Sequence, residues 1–249
     1  MMRYTVFLVV LSLAFGTASA DEQTEQKVRA AMASEIRTAA EVDRDANRKP
    51  VETLAFFGLQ DDMRVLELLP GGGWYTKLLA PVLRDKGKLY VSIGTRGVSE
   101  NLLTQPGFDK VEALEIDAAL SRDGEFGTNN IGPFDFGVKN LDMVLTFRNM
   151  HNFTPAGRAN INAAVFKSLR SGGVYGVVDH SRRHMEPMTR ENRRRADPVE
   201  IVKEALDTGF EFVGYSDLHY RPDDELRYEV GRKTVTGNTD RFTFLFRKP

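Results

Sequence analysis

The sequence predicts an α/β fold: a mostly parallel β-sheet with helices on both faces, an antiparallel last strand and a helical leader at the N-terminal side. Three observations carry that reading. Seven short, β-prone apolar runs are bounded by turn residues, and helical stretches separate most of them. Three consecutive glycines follow the first run, where a strand hands over to a helix. Only irregular, charged sequence joins the last two runs, which suits an antiparallel pair.

The elements follow in order. Arg3 precedes an apolar run from Tyr4 to Phe15, and small residues lead to Ala18-Ser19-Ala20. This pattern predicts a signal peptide over residues 1–20, cleaved after Ala20; an uncleaved anchor is the alternative. The run is short for a bilayer span, so no stable membrane anchor is expected after cleavage. Residues 21–57 read as a helical extension. Val28, Met32, Ile36 and Ala39 or Ala40 recur at helical steps, predicting one amphipathic helix between Asp21 and Arg48. Pro50 opens a second helix, Val51–Phe57, which Gly58 closes. This leader is expected to pack on the main domain or cover its cleft.

The main domain, residues 58–249, alternates strands and helices. The predicted strands are Arg64–Leu69, Lys88–Ile93, Val111–Ile116, Met143–Phe147, Val174–Val178, Glu211–Tyr215 and Arg241–Arg247. Helices are predicted over Trp74–Leu83, Ser99–Leu103, Ala159–Leu169 and Pro198–Thr208, the last stopped by Gly209. A long polar loop spans Asp117–Asn140.

Composition excludes chemistry rather than selecting it. The 249 residues include no cysteine, which removes disulfides, thiolate metal sites and thiol nucleophiles. Basic and acidic residues number 34 and 35, so nothing points to a nucleic-acid partner. An exported, soluble, mildly acidic chain, periplasmic or secreted, is the expected product.

The turn Glu67-Leu68-Leu69-Pro70-Gly71-Gly72-Gly73-Trp74-Tyr75-Thr76 carries the clearest chemistry. Glycines admit a ligand close to the backbone, and the helix start offers free amide donors. The spacing matches neither the dinucleotide fingerprint nor a P-loop, which weakens a nicotinamide oxidoreductase. This turn resembles the first motif of class I S-adenosylmethionine-dependent methyltransferases, with Glu67, Gly71 and Gly73 matching and Leu69-Pro70 replacing the first glycine and its neighbour. It is most similar to a group of bacterial predicted methyltransferases, some with signal peptides. Phe147-Arg148-Asn149-Met150-His151-Asn152, Val177-Val178-Asp179-His180 and Thr239-Asp240-Arg241-Phe242 fit the same group. The resemblance implies a Rossmann-like seven-stranded sheet and S-adenosylmethionine as cofactor, held by Glu67, Gly71, Gly72, Gly73, Asp117 and Phe147.

The candidates have alternatives. Asp117 follows the third strand, where the family often meets adenine, but a turn acid reads the same. Phe147 faces either adenosine or core. His151 and Asn149 are placed toward the methyl acceptor, with His151 as candidate general base, the alternatives being a solvent-exposed loop histidine or a hydrogen-bond anchor. The second strand ends Ser92-Ile93-Gly94-Thr95-Arg96, with no carboxylate for the ribose hydroxyls. His151, Asp179, His180 and His184 could be read as ligands, but no metal site is predicted. The arginine-rich stretch 182–195 reads as a solvated loop before it reads as an anion mouth. The resemblance implies methyl transfer to an unidentified small-molecule or exported acceptor. The alternative is an exported binding or accessory protein that keeps the fold without methyl transfer.

Overall fold

The computed structural model describes residues 20–249, with the side chain of Ala20 left out. The predicted export segment otherwise lies outside the described residues. Helix α1 (Ala20–Met32) is followed by two single turns, α2 (Ala39–Val42) and α3 (Asp45–Arg48), and by α4 (Pro50–Phe56). The chain then runs β1 (Arg64–Leu68), α5 (Thr76–Leu83), β2 (Lys88–Ser92), α6 (Arg96–Asn101) and β3 (Glu112–Leu114). A short antiparallel ladder, β4 (Leu120–Ser121) with β5 (Asn130–Ile131), interrupts the predicted polar loop. The second half comprises β6 (Leu141–Phe147), α7 (Pro155–Ser168), β7 (Leu169–His180), α8 (Pro198–Thr208), β8 (Glu211–Ser216) and β9 (Arg241–Arg247).

Seven strands form one sheet in the order β3-β2-β1-β6-β7-β9-β8. Every pairing from β3 to β7 is parallel, and β9 runs antiparallel between β7 and β8. The expected sheet and its antiparallel last strand are therefore present. Alternation along the strands divides the core in two. Val65, Val91, Met143 and Leu145 face α1, α4 and α5, while Leu66, Val144, Tyr175 and Val177 face α7 and α8.

Helix ends follow their caps. Thr154 accepts from the Gly157 amide and Pro155 takes the first turn, so α7 begins four residues before its predicted start. Asp197 caps α8 and Gly209 (φ 107°) closes it. The leader departs from the expected single helix, because it breaks after Met32. Arg37 turns inward, and its Nη1 donates to the Met32 carbonyl (2.8 Å) and to Asp45 (2.9 Å). That guanidinium satisfies a helix-end carbonyl, and a capping box between Thr38 and Glu41 starts the next turn. Val28 and Ala31 join the core with Leu78 and Leu79, so α1 shares a face of the sheet with α5. Among the described residues no helix is long and apolar enough to cross a membrane.

Chain order places a crevice. The path fills β1, β2 and β3 on one side, then crosses to β6 on the other flank of β1. Open α/β sheets bind ligands at such a switch point, beyond the strands' carboxyl ends. Here β1, β2 and β6 are each followed directly by a left-handed residue, Leu69 (φ 50°), Ile93 (φ 61°) and Arg148 (φ 64°). Non-glycine residues held there carry strain of about 1–3 kcal/mol each and gather at functional edges.

Candidate functional site

A cavity of about 220 Å³ opens at this switch point. Glu67, Gly71, Gly72, Phe147 and Asn149 line it, together with Glu41, Arg44 and Arg48 of the leader. Glu67, next to last in β1, is 3% exposed and accepts a hydrogen bond from the Thr76 hydroxyl at 2.6 Å. Burial pushes its carboxyl up to about 7, against the opposing pull of Thr76 and of the Arg48 charge. Asn149 donates its amide to the carbonyls of Leu68 and Leu69 (3.2 and 3.3 Å), which ties the end of β6 to the glycine turn.

Aromatic rings wall the same space. Tyr75 stacks on Phe147 with centroids 3.5 Å apart, and Trp74 meets Tyr75 edge-on at 4.6 Å. The Arg48 guanidinium lies 4.2 Å from the Trp74 ring centroid. Trp74 donates its indole N–H to the Glu41 carbonyl (3.0 Å), and Lys77 pairs with the Glu41 carboxylate (2.9 Å). The leader is thus fastened over the glycine turn through α2.

Other predicted residues stand elsewhere. Gly73 packs inward: a Cβ there would lie 2.6 Å from Leu102 Cδ2, at φ +83°. Gly72 has open space and an ordinary backbone. Gly73→Ala is therefore expected to lower stability by about 1–3 kcal/mol, and Gly72→Ala to change it by less than about 0.5 kcal/mol. Denaturant unfolding compares them, and equal effects would contradict the packing role. Asp117 is exposed and outside the cavity lining. His151 is also outside it. At 6% exposure, its Nδ1 lies 2.6 Å from an Asp179 oxygen, and its backbone amide donates to the other oxygen at 2.9 Å. The hydrogen-bond anchor, one of its three sequence readings, describes this geometry, and burial rules out the solvent-exposed one. Asp179 belongs to β7, so His151 locks the turn after β6 to the neighbouring strand.

The sequence reading missed Arg48, Arg148, Tyr75 and Trp74 as cavity residues. An aromatic pair directly after three glycines was the available signal for two of them. The arginine-rich stretch is solvated at Arg183, Arg190, Arg193 and Arg194, as expected, but Arg195 is fully buried on Asp224 and Arg182 is 7% exposed. Among the described residues no three histidine, aspartate or glutamate side chains gather as a metal site, and His184 pairs with Asp197 (2.9 Å).

No family model matches the chain, and no curated protein matches it by sequence. Solved structures do. A SAM-dependent methyltransferase from Aquifex aeolicus superposes with a TM-score of 0.56 at 15% identity, over 89% of this chain and 97% of its own. The chain has the class I methyltransferase fold. The [4+2]-cyclase SpnF shares the fold, with a TM-score of 0.57 at 12% identity over 92% and 96% of the two chains. So does the glycopeptide N-methyltransferase MtfA, at 0.52 and 16% over 82% and 97%, a protein crystallised with sinefungin and with S-adenosylmethionine.

The cavity fits one end of the methyltransferase fold's cofactor. The Glu67 carboxyl, guanidinium groups at Arg48 and Arg148 and the Asn149 amide suit an α-amino acid terminus, which is both ammonium and carboxylate. About 220 Å³ is less than the roughly 300–1,000 Å³ usual for a whole ligand of this size. The ribose side does not fit in the usual way. Ser92 is fully buried and donates its hydroxyl to the Leu114 carbonyl (3.1 Å), and no residue from 92 to 96 lines the cavity.

Proposed function

We propose that the protein is an S-adenosylmethionine-dependent methyltransferase that works outside the cytoplasm on an unidentified acceptor. The observation that carries this reading is the charged cavity at the switch point, built on the Glu67–Gly73 turn and closed by Asn149. Glu67 holds the donor's ammonium, Arg48 and Arg148 its carboxylate, and Gly71 and Gly72 border the same space. The bound donor supplies a methyl group on a sulfonium, and the chain's contribution is alignment and exclusion of water. Phe147 and Tyr75 form the apolar wall. Asn149 faces the cavity, and His151 positions it by fixing the turn to Asp179. Export rests on residues 1–20 alone.

A second reading is an exported binding or accessory protein that keeps this fold without methyl transfer. The buried, already bonded Ser92 hydroxyl and the missing carboxylate on β2 favour it. Calorimetric titration of residues 21–249 with S-adenosylmethionine and its demethylated product decides between them. The expected result is one site per chain for both ligands, weakened about tenfold by Asn149→Ala, which corresponds to about 1.4 kcal/mol. Silence with both ligands in a folded sample would overturn the enzyme reading.

A further inference from the structure

Beside the Glu67 cavity lies a second, of about 350 Å³, whose walls hold Arg44, Arg48, Arg148, Arg194 and Arg241. The first three also line the Glu67 cavity, so the two spaces adjoin. Of the five, among the described residues, only Arg194 has a carboxylate partner, Glu229. Arg48 and Arg241 are 6% and 8% exposed, Arg148 is half-buried and Arg44 is exposed. Arg241 donates through Nη1 to the Asn47 carbonyl (2.8 Å), while its Nε is buried without an acceptor. The Nε of Arg148 is buried without an acceptor too.

Acids on the adjoining elements are engaged elsewhere. Glu41 holds Lys77, Glu67 accepts from Thr76, Asp179 holds His151, and Asp240 accepts from the Arg221 amide. Like charges drawn out of water repel and lose hydration, so such a group calls for a counter-charge. Burial first, then the neighbouring arginines, brings Arg48 down to about 9 and Arg241 to about 10, which still leaves both charged at neutral pH. His180 shares the wall, its Nδ1 2.9 Å from the Thr239 hydroxyl. Burial holds it far below the usual histidine range, so the imidazole adds a neutral polar group. One carboxylate on a donor in the first cavity, shared by Arg48 and Arg148, would still leave Arg44 and Arg241 without an acid.

We infer that the second cavity binds an anionic small molecule, through a phosphate or a cluster of carboxylates that supplies the missing counter-charge. Guanidinium forks suit such oxyanions because two parallel N–H groups meet two oxygens. That this anion belongs to the methyl acceptor rests on the reading above; the anion affinity does not.

The test titrates residues 21–249 with pyrophosphate, with citrate and with glycerol, at an ionic strength held constant with sodium chloride. Heat and melting temperature are followed, and the two cofactor ligands are titrated separately. One-site binding of pyrophosphate or citrate is expected, with a melting temperature several degrees higher and glycerol silent; the tighter arm names the anion class. Arg148→Gln should weaken that binding at least tenfold while the unliganded melting temperature holds or rises, because a repelling charge has gone. A purely structural arginine would lower it instead. The inference fails if neither anion binds the folded protein above the chloride background. It also fails if Arg148→Gln and Arg241→Gln bind as tightly as the parent. Anion binding without cofactor binding would sink methyl transfer and leave the anion site standing, and the reverse outcome would do the opposite.

Discussion

Arg195→Ala is expected to lower the unfolding free energy by about 3–5 kcal/mol. Arg195 and Asp224 both have fully buried side chains. Their contact is a two-pronged fork, Nη1 to Oδ2 at 2.8 Å and Nη2 to Oδ1 at 3.0 Å. Arg195 also donates to the carbonyls of Tyr228 (2.7 Å) and Ser181 (2.9 Å), and Asp224 accepts from the Asp240 amide (2.7 Å). Alanine would leave a carboxylate buried without its cation and release the irregular chain between β8 and β9. Urea unfolding at neutral pH measures the loss. Arg195→Lys should recover little of it, since a point charge cannot replace the fork. A loss below about 1 kcal/mol for alanine would show that this pair does not hold the segment.

Glu67→Gln is expected to stabilise the protein in alkaline solution while removing its affinity for an ammonium-bearing ligand. In the unfolded chain this glutamate titrates near 4.5, and burial in the fold pushes it to about 7. Between those values the native state keeps a proton that the unfolded state has released. Stability therefore falls as pH rises through that window, and the full penalty is present above about 7. At 1.36 kcal/mol per unit it is about 3 kcal/mol. Glutamine keeps the oxygen that accepts from Thr76 but carries no charge. Unfolding curves for parent and variant should diverge by up to that amount near pH 8 and converge at or below about pH 4.5. A gap that stays constant with pH would contradict the assigned cause. Gain of stability with loss of binding is the pattern of a charge kept for function.

Local signals located most of the architecture. Alternating apolar runs marked the main strands, and Pro198 with Gly209 bounded α8 because each acts through its own backbone. The glycine turn was legible for the same reason, and Glu67, Gly71, Gly72, Phe147 and Asn149 do meet at one cavity. The leader's break was not legible. Its apolar spacing continues past Met32, where an inward guanidinium that also reaches Asp45 takes up the helix-end carbonyl. The fate of the arginines was hidden likewise. In sequence, 182–195 is a charge run; in the fold, Arg195 meets a carboxylate 29 positions away.

From sequence alone came the sheet, its antiparallel last strand, the glycine turn after the first strand and the lack of cysteine. The strands and the turn each depend on residues within a few positions of one another, and the lack of cysteine on composition. The tertiary structure decided which charges are shared. It brought Arg48 from the leader, Arg148 from the end of β6 and Arg241 from the start of β9 into one wall, and it buried His151 against Asp179. The worth of a charge depends on its solvation and on neighbours distant in the chain, and neither exists until the strands are side by side.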